Sequence, residues 1–115
     1  MASPPTGTLT FVFTDIEGST KLWEHNAQAM QASLARHDEI LRGATEEEGG
    51  YVFKTMGDAF CCAFLTAPDA LEASVEAQRR LLKEPWPETG PLRVRMALHT
   101  GGNRGARWGL FRASG

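Results

Sequence analysis

An α+β domain built on a single sheet is the fold class this sequence predicts, on three features. Residues 8–14 and 92–100 alternate apolar and polar with a period of two, two short β-prone runs flank a glycine turn within 51–65, and helical patterns lie on both sides of that pair. In the first run Leu9, Phe11 and Phe13 share one face while Thr10, Val12 and Thr14 share the other, a composition suited to a pleated strand. The turn Asp15-Ile16-Glu17-Gly18-Ser19-Thr20 follows, and Ser19 or Thr20 is expected to cap the next helix. Helix, in one or two pieces, is expected from about 20 to 48, with Met30, Leu34, Ile40 and Leu41 as its buried stripe and Gly49-Gly50 as its end. Residues 51–54 and 59–65 then read as a hairpin around Gly57-Asp58.

Thr66 with Pro68 behind it is a helix start, and this helix is expected to reach about 84 and to bury Leu71, Val75, Leu81 and Leu82. Pro85-Trp86-Pro87 ends it, a loop continues to Pro91, and a last strand runs over 92–100. The order β-α-β-β-α-β is the split pattern of ferredoxin-like folds. Residues 1–7 are expected to be disordered. Residues 102–115 show no strand or helix period, so Trp108, Leu110 and Phe111 have no evident core partner.

A chain of 115 residues makes one small domain at most. The net charge of −2 creates no field that would recruit nucleic acid or an anionic membrane. No apolar run approaches the roughly 20 residues of a membrane span, and the N-terminus lacks the basic start and apolar core of a secretory signal. The two cysteines, Cys61 and Cys62, are neighbours on a strand, point to opposite faces and do not suit a bridge. A reducing cytoplasm is the expected compartment, with neither nucleic acid nor membrane as partner.

The topology places chemistry. With the third strand antiparallel between the first and second, the end of strand one lies beside the start of strand three. Asp15 stands at the first place and Asp58 at the second. A single aspartate beside a glycine more often satisfies a turn. Two that meet at one sheet edge, each near a glycine turn, favour a cation between them, and oxygen-only donors favour a hard ion such as Mg²⁺ or Mn²⁺. Gly18 lets backbone approach a ligand, and the amides of Ser19 and Thr20 open a helix where an anion can sit, which suits a triphosphate.

Phe13-Thr14-Asp15-Ile16-Glu17-Gly18-Ser19-Thr20 followed by Leu22-Trp23-Glu24 resembles the opening of a class III adenylate/guanylate cyclase domain, in the wording of its bacterial branch. Gly50-Tyr51-Val52-Phe53-Lys54-Thr55-Met56-Gly57-Asp58 is similar to that family's second signature, and Arg95-Met96-Ala97-Leu98-His99-Thr100-Gly101 to its next strand. The resemblance covers residues 8–101 and implies a partial cyclase domain there. It implies that Asp15 and Asp58, with the Ile16 carbonyl, hold two Mg²⁺ or Mn²⁺ ions. One ion would ease loss of the proton from the ribose 3′-hydroxyl of ATP, and the other would hold the triphosphate, as in two-metal phosphoryl chemistry. Lys54 falls on the purine-reading position, where lysine goes with adenine; the plainer alternative is a solvated hairpin lysine. Family domains act as homodimers or paired domains, one chain giving the aspartates and the other an asparagine and an arginine.

The rest of the chain departs from that pattern. The family continues to a second base-reading residue and an N-x-x-x-R motif. Asn103-Arg104-Gly105-Ala106-Arg107 copies only the letters of that motif, directly after the strand. The likeness is either chance or the scar of a deletion, and a shifted reading frame is the sharper explanation of the tail. Codons for 102–114 displaced by one nucleotide can read Gly-Thr-Glu-Glu-Arg-Gly-Gly-Asp-Tyr-Phe-Gly-Pro, which is similar to the family's usual continuation. The expected function is that of an adenylate cyclase-type domain, C-terminally truncated and weak or inactive alone; the alternative is a non-catalytic module for metal-nucleotide binding or dimerisation. The remaining marked residues read as structural. Phe11, Phe13, Phe53, Phe60 and Phe64 suit core positions, and Cys61 and Cys62 are small strand residues. His25 and His37 read as surface polarity, His99 as a local bonding partner, and Glu46-Glu47-Glu48 as a solvated helix end.

Overall fold

The β-branched and aromatic stretch at the N-terminus forms a longer strand than its alternation suggests. In the computed structural model, which describes residues 7–103, β1 spans Gly7–Ile16 and so contains Asp15. It is followed by α1 (Ser19–His25), α2 (Ala27–Glu47), β2 (Tyr51–Met56), β3 (Ala59–Phe64), α3 (Ala67–Lys83) and β4 (Val94–Asn103). The strands lie in the order β2-β3-β1-β4, every neighbouring pair antiparallel, which is the expected ferredoxin-like sheet. Gly7 pairs with Asn103, so the sheet takes in a residue expected to be disordered, and β4 passes the expected end at Thr100. The expectations for residues 1–6 and for the tail 104–115 lie outside the described residues.

Side-chain and backbone caps set the helix limits. Asn26 adopts φ −158° and ψ 91°, gives its N–H to the Leu22 carbonyl, and accepts the Ala29 N–H on its side chain at 3.0 Å. One residue thereby ends α1 and starts α2. Thr66 caps α3 by accepting the Asp69 N–H at 3.2 Å, with proline in the first turn. The cap of α1 corrects the expectation. Gly18, not Ser19 or Thr20, occupies it, at φ 68° with no side-chain hydrogen bond, and Ser19 and Thr20 are the first helical residues. That left-handed backbone is open to glycine at little cost and strained for other residues.

The main core lies between one face of the sheet and the helices. Val12, Ile16, Phe60, Cys62 and Phe64 meet Met30, Ile40, Leu41 and Ala44 of α2 and Ala70, Ala73, Ala77 and Leu81 of α3. Of the four residues expected to be buried on α3, only Leu81 is. Leu71, Val75 and Leu82 are 57%, 44% and 84% exposed. The small residues Ala70, Ala73 and Ala77 have the same helical period, and on the buried side they let the helix approach the sheet closely. His37 is a second correction. It is wholly buried on α2, packs edge-on to Phe60 with ring centroids 5.7 Å apart, and bonds Asp38 through Nδ1 at 2.8 Å. On the other face of the sheet Leu9, Phe11 and Ala63 form a smaller cluster with Phe13 and Phe53. Among the described residues no helix is long and apolar enough to cross a membrane.

Candidate active site

Strand register decides which side chains share the open face. Thr14 pairs with Phe60 on β3 and with Met96 on β4, in a row directed at the helices. The next position is Asp15, paired with Arg95 on β4. Met56 pairs with Ala59 at the matching end of β2 and β3, so Met56, Ala59, Asp15 and Arg95 line one row of the opposite face. These four, with Phe13, Ala97 and the adjoining Thr14 and Met96, line an open cleft of about 360 Å³.

Asp58 sits in the two-residue turn Gly57-Asp58 between β2 and β3, beside the end of β1. Gly57 has φ 58° and Asp58 does not share the positive φ, the pattern of a type II′ hairpin. The register thus places the Asp15 and Asp58 positions at the same end of β1 and β3. Their surroundings differ. Asp15 is partly exposed and takes a two-pronged ion pair from Arg95, Nε to Oδ1 at 2.8 Å and Nη2 to Oδ2 at 2.7 Å. The Asp15 carboxylate holds the Arg95 guanidinium above its usual range, with help from the field of Glu17. Asp58 has a buried oxygen, Oδ2, with no hydrogen-bond partner. A buried carboxylate oxygen without a donor is costly unless something positive meets it.

That orphaned oxygen fits a cation. Asp58 and Asp15 offer only oxygen donors at this end of the sheet, which suits a hard ion. Among the described residues no three His, Cys, Asp or Glu side chains gather tightly enough to hold a metal by themselves. Further ligands must then come from backbone, water or a bound phosphate, the usual way Mg²⁺ is held beside nucleotides.

Lys54 reaches the same face through an irregularity. Val52 pairs with Cys62 but Lys54 with Cys61, so Phe53 is an extra residue on β2. The bulge puts Lys54 in the row of Cys61, Phe13 and Ala97, one step along from Asp15 on the same side. Two strand spacings, about 10 Å, separate it laterally from β1. Phe53 packs on Phe11 at 6.1 Å with its ring edge-on, which seats the bulge. Gly18, Ser19 and Thr20 follow Asp15 across one tight turn, where the Glu17 N–H bonds the Arg93 carbonyl at 2.8 Å. Arg95 is the site residue that the sequence reading left among strand residues. Only the pairing of β1 with β4 reveals its place.

A ferredoxin-like sheet with one carboxylate at a strand end and another in the adjacent hairpin turn defines a class of domains suited to holding a hard cation at the sheet end. A family model described as the adenylate and guanylate cyclase catalytic domain matches residues 1–104. The adenylate cyclase of Lachancea kluyveri is 46% identical over 86 residues, which is 75% of this chain and 5% of that protein. An uncharacterised protein of Mycobacterium tuberculosis is 37% identical over 100 residues, 85% of this chain and 33% of its own length. Fungal as well as mycobacterial proteins match, so the likeness is not confined to a bacterial branch. An adenylate cyclase from Trypanosoma brucei, solved in its monomeric state, superposes with a TM-score of 0.81 at 27% identity, covering 90% of this chain and 60% of that one. The chain belongs to the adenylate and guanylate cyclase catalytic domain family. It spans a small part of the fungal enzyme and about three fifths of the trypanosomal chain.

Proposed function

We propose that this chain carries the metal-binding half of an adenylate cyclase-type site, which turns ATP into 3′,5′-cyclic AMP and pyrophosphate. The observation that carries the reading is the unpartnered, buried Oδ2 of Asp58 beside the strand end that holds Asp15. Asp15, Asp58 and the Ile16 carbonyl would hold two Mg²⁺ or Mn²⁺ ions. When bound, such ions supply the positive charge that eases deprotonation of the attacking hydroxyl and steadies the triphosphate. In the reaction the ribose 3′-oxygen bonds to the α-phosphorus, the bond from that phosphorus to the β-bridging oxygen breaks, and pyrophosphate leaves. Lys54 donates to the adenine edge and so selects the base. Gly18, Ser19 and Thr20 bring backbone amides to the phosphates at the turn after Asp15. The two buried free thiols support a reducing, cytoplasmic setting.

A second reading is favoured by the Arg95 fork, which occupies both oxygens of Asp15. The 115-residue polypeptide by itself would then bind metal-nucleotide or pair with a cyclase domain, with little or no turnover. Loss of transition-state donors of the asparagine and arginine kind lowers rate by about 10²–10³. A mixed dimer with a cyclase domain that carries such donors would supply them from the other chain.

One experiment separates the readings. The purified chain is incubated with Mn²⁺-ATP and cyclic AMP is measured, alone and mixed with a full-length relative whose two metal aspartates are replaced by alanine. Product from the chain alone supports turnover without a partner, and product only in the mixture supports the half-site. No product and no Mn²⁺-ATP binding in either would sink the cyclase reading.

A further inference from the structure

The two carboxylates of the site are unequally prepared for a cation. Asp58 presents an oxygen with no partner, whereas both oxygens of Asp15 are already taken by the guanidinium of Arg95, at 2.8 Å and 2.7 Å. The pair is built into the sheet, because Asp15 and Arg95 are register partners across β1 and β4. We infer that Arg95 is a positioning residue that serves as the resident counter-ion of Asp15, so that a divalent cation and Arg95 compete for the same carboxylate. The inference rests on the metal reading above.

A two-pronged guanidinium uses the paired outer lone pairs of a carboxylate, the same ones a cation would use. A guanidinium and a divalent ion at one carboxylate also repel each other. Nothing locks the arginine in place, since its side chain is 65% exposed on a long flexible stem. Glu17, just past the strand, is the second acid whose field reaches Arg95. The pair thus holds Asp15 in place in the metal-free protein and lowers its affinity for the first ion. Asp58 has no such guard, so an ion would engage it first.

The test is Mn²⁺ titration of the whole chain by calorimetry, with circular dichroism to confirm folding. Arg95→Gln should bind Mn²⁺ roughly two- to fivefold more tightly than the native chain, the upper part of the range expected for releasing one exposed ion pair. Arg95→Lys, which keeps the charge but not the fork, should fall between them. Arg93→Gln removes the same charge two residues away and should change affinity less than about twofold in physiological salt. Equal or weaker binding by Arg95→Gln overturns the inference. So does an Arg93→Gln effect as large as that of Arg95→Gln, because it would show only a general charge effect. If the native chain binds Mn²⁺ and Asp58→Asn abolishes binding while Arg95→Gln changes nothing, the metal site stands and the competition falls. If no variant binds Mn²⁺, both fall together.

Discussion

Gly50 lies hard against the ring of Phe64: a methyl group at Gly50 would stand 2.5 Å from Cε2 of that ring and 2.8 Å from Cγ2 of Thr45. The contact closes the turn between α2 and β2, where the Gly50 N–H bonds the Thr45 carbonyl at 2.9 Å. Phe64 is 1% exposed and packed in the main core, so it has nowhere to move. Gly50→Ala should therefore cost about 1–3 kcal/mol as an overpacked site, read as a lower urea midpoint. Because β2 starts at the next residue and carries Lys54, the same variant should also weaken nucleotide binding. An unchanged midpoint would mean that the turn yields freely.

Asp58 predicts a separation of stability from binding. Its Oδ2 is buried without a donor, so one oxygen of this side chain goes unpaired in the metal-free fold. Asp58→Asn removes the charge while keeping the shape. The metal-free protein should melt at the same temperature or somewhat higher, because the amide still places a polar atom at the unpaired position but carries no charge. The variant should lose the rise in melting temperature that Mn²⁺ gives the native chain. A variant that is less stable without metal would show that Asp58 serves the turn and not an ion.

The two thiols predict a limit on the alkaline side. Burial raises both, Cys62 from 9.0 to about 11 and Cys61 further, where the neighbouring Cys62 adds to the effect and Lys54 opposes it. Between pH 9 and 11 the unfolded chain has released these protons and the folded chain still holds that of Cys62. The unfolded state then binds fewer protons, so stability falls as pH rises, by at most about 1.4 kcal/mol per pH unit for each thiol. Below pH 9 the contribution is fully present. Urea midpoints at pH 8 and pH 10.5 should differ more in the native chain than in a Cys61→Ala, Cys62→Ala double variant. Both thiols should also resist a water-soluble alkylating reagent at pH 8 until the protein is unfolded.

Periodicity made the sheet, the hairpin and the helices legible, because a period of two and a period near 3.6 each leave a clear trace. It failed where two residue sets share one period. On α3 the large Leu71, Val75 and Leu82 and the small Ala70, Ala73 and Ala77 are both helically spaced, and close approach to the sheet selects the small set. His37 was unreadable for a related reason: a polar residue on a helix reads as exposed until its neighbours Phe60 and Asp38 are known. The site shows the same division. Asp15 and Asp58 could be brought together from topology alone. Arg95 depends on which residues of β1 and β4 stand opposite each other, and the face of Lys54 depends on a bulge at Phe53 that no spacing rule announces.

That bulge carries the last prediction. In a ladder without the bulge, Phe53 would pair with Cys61, and Lys54 would turn to the helix side of the sheet, away from Asp15. With it, the lysine stands on the open face about 10 Å from β1, far enough to leave a base and ribose between itself and the metal-side carboxylates. A lysine that only attracts phosphate acts as a point charge and treats ATP and GTP alike. A lysine that donates to the base edge does not, because adenine and guanine present different acceptors and donors there. Lys54→Glu should therefore lower Mn²⁺-ATP affinity by roughly tenfold or more, the loss expected for one hydrogen bond from a charged donor, and should lower Mn²⁺-GTP affinity less. Competition of the two nucleotides against a fluorescent ATP analogue measures both constants on one sample. Equal losses for ATP and GTP would assign Lys54 to the phosphates and remove the argument for adenine.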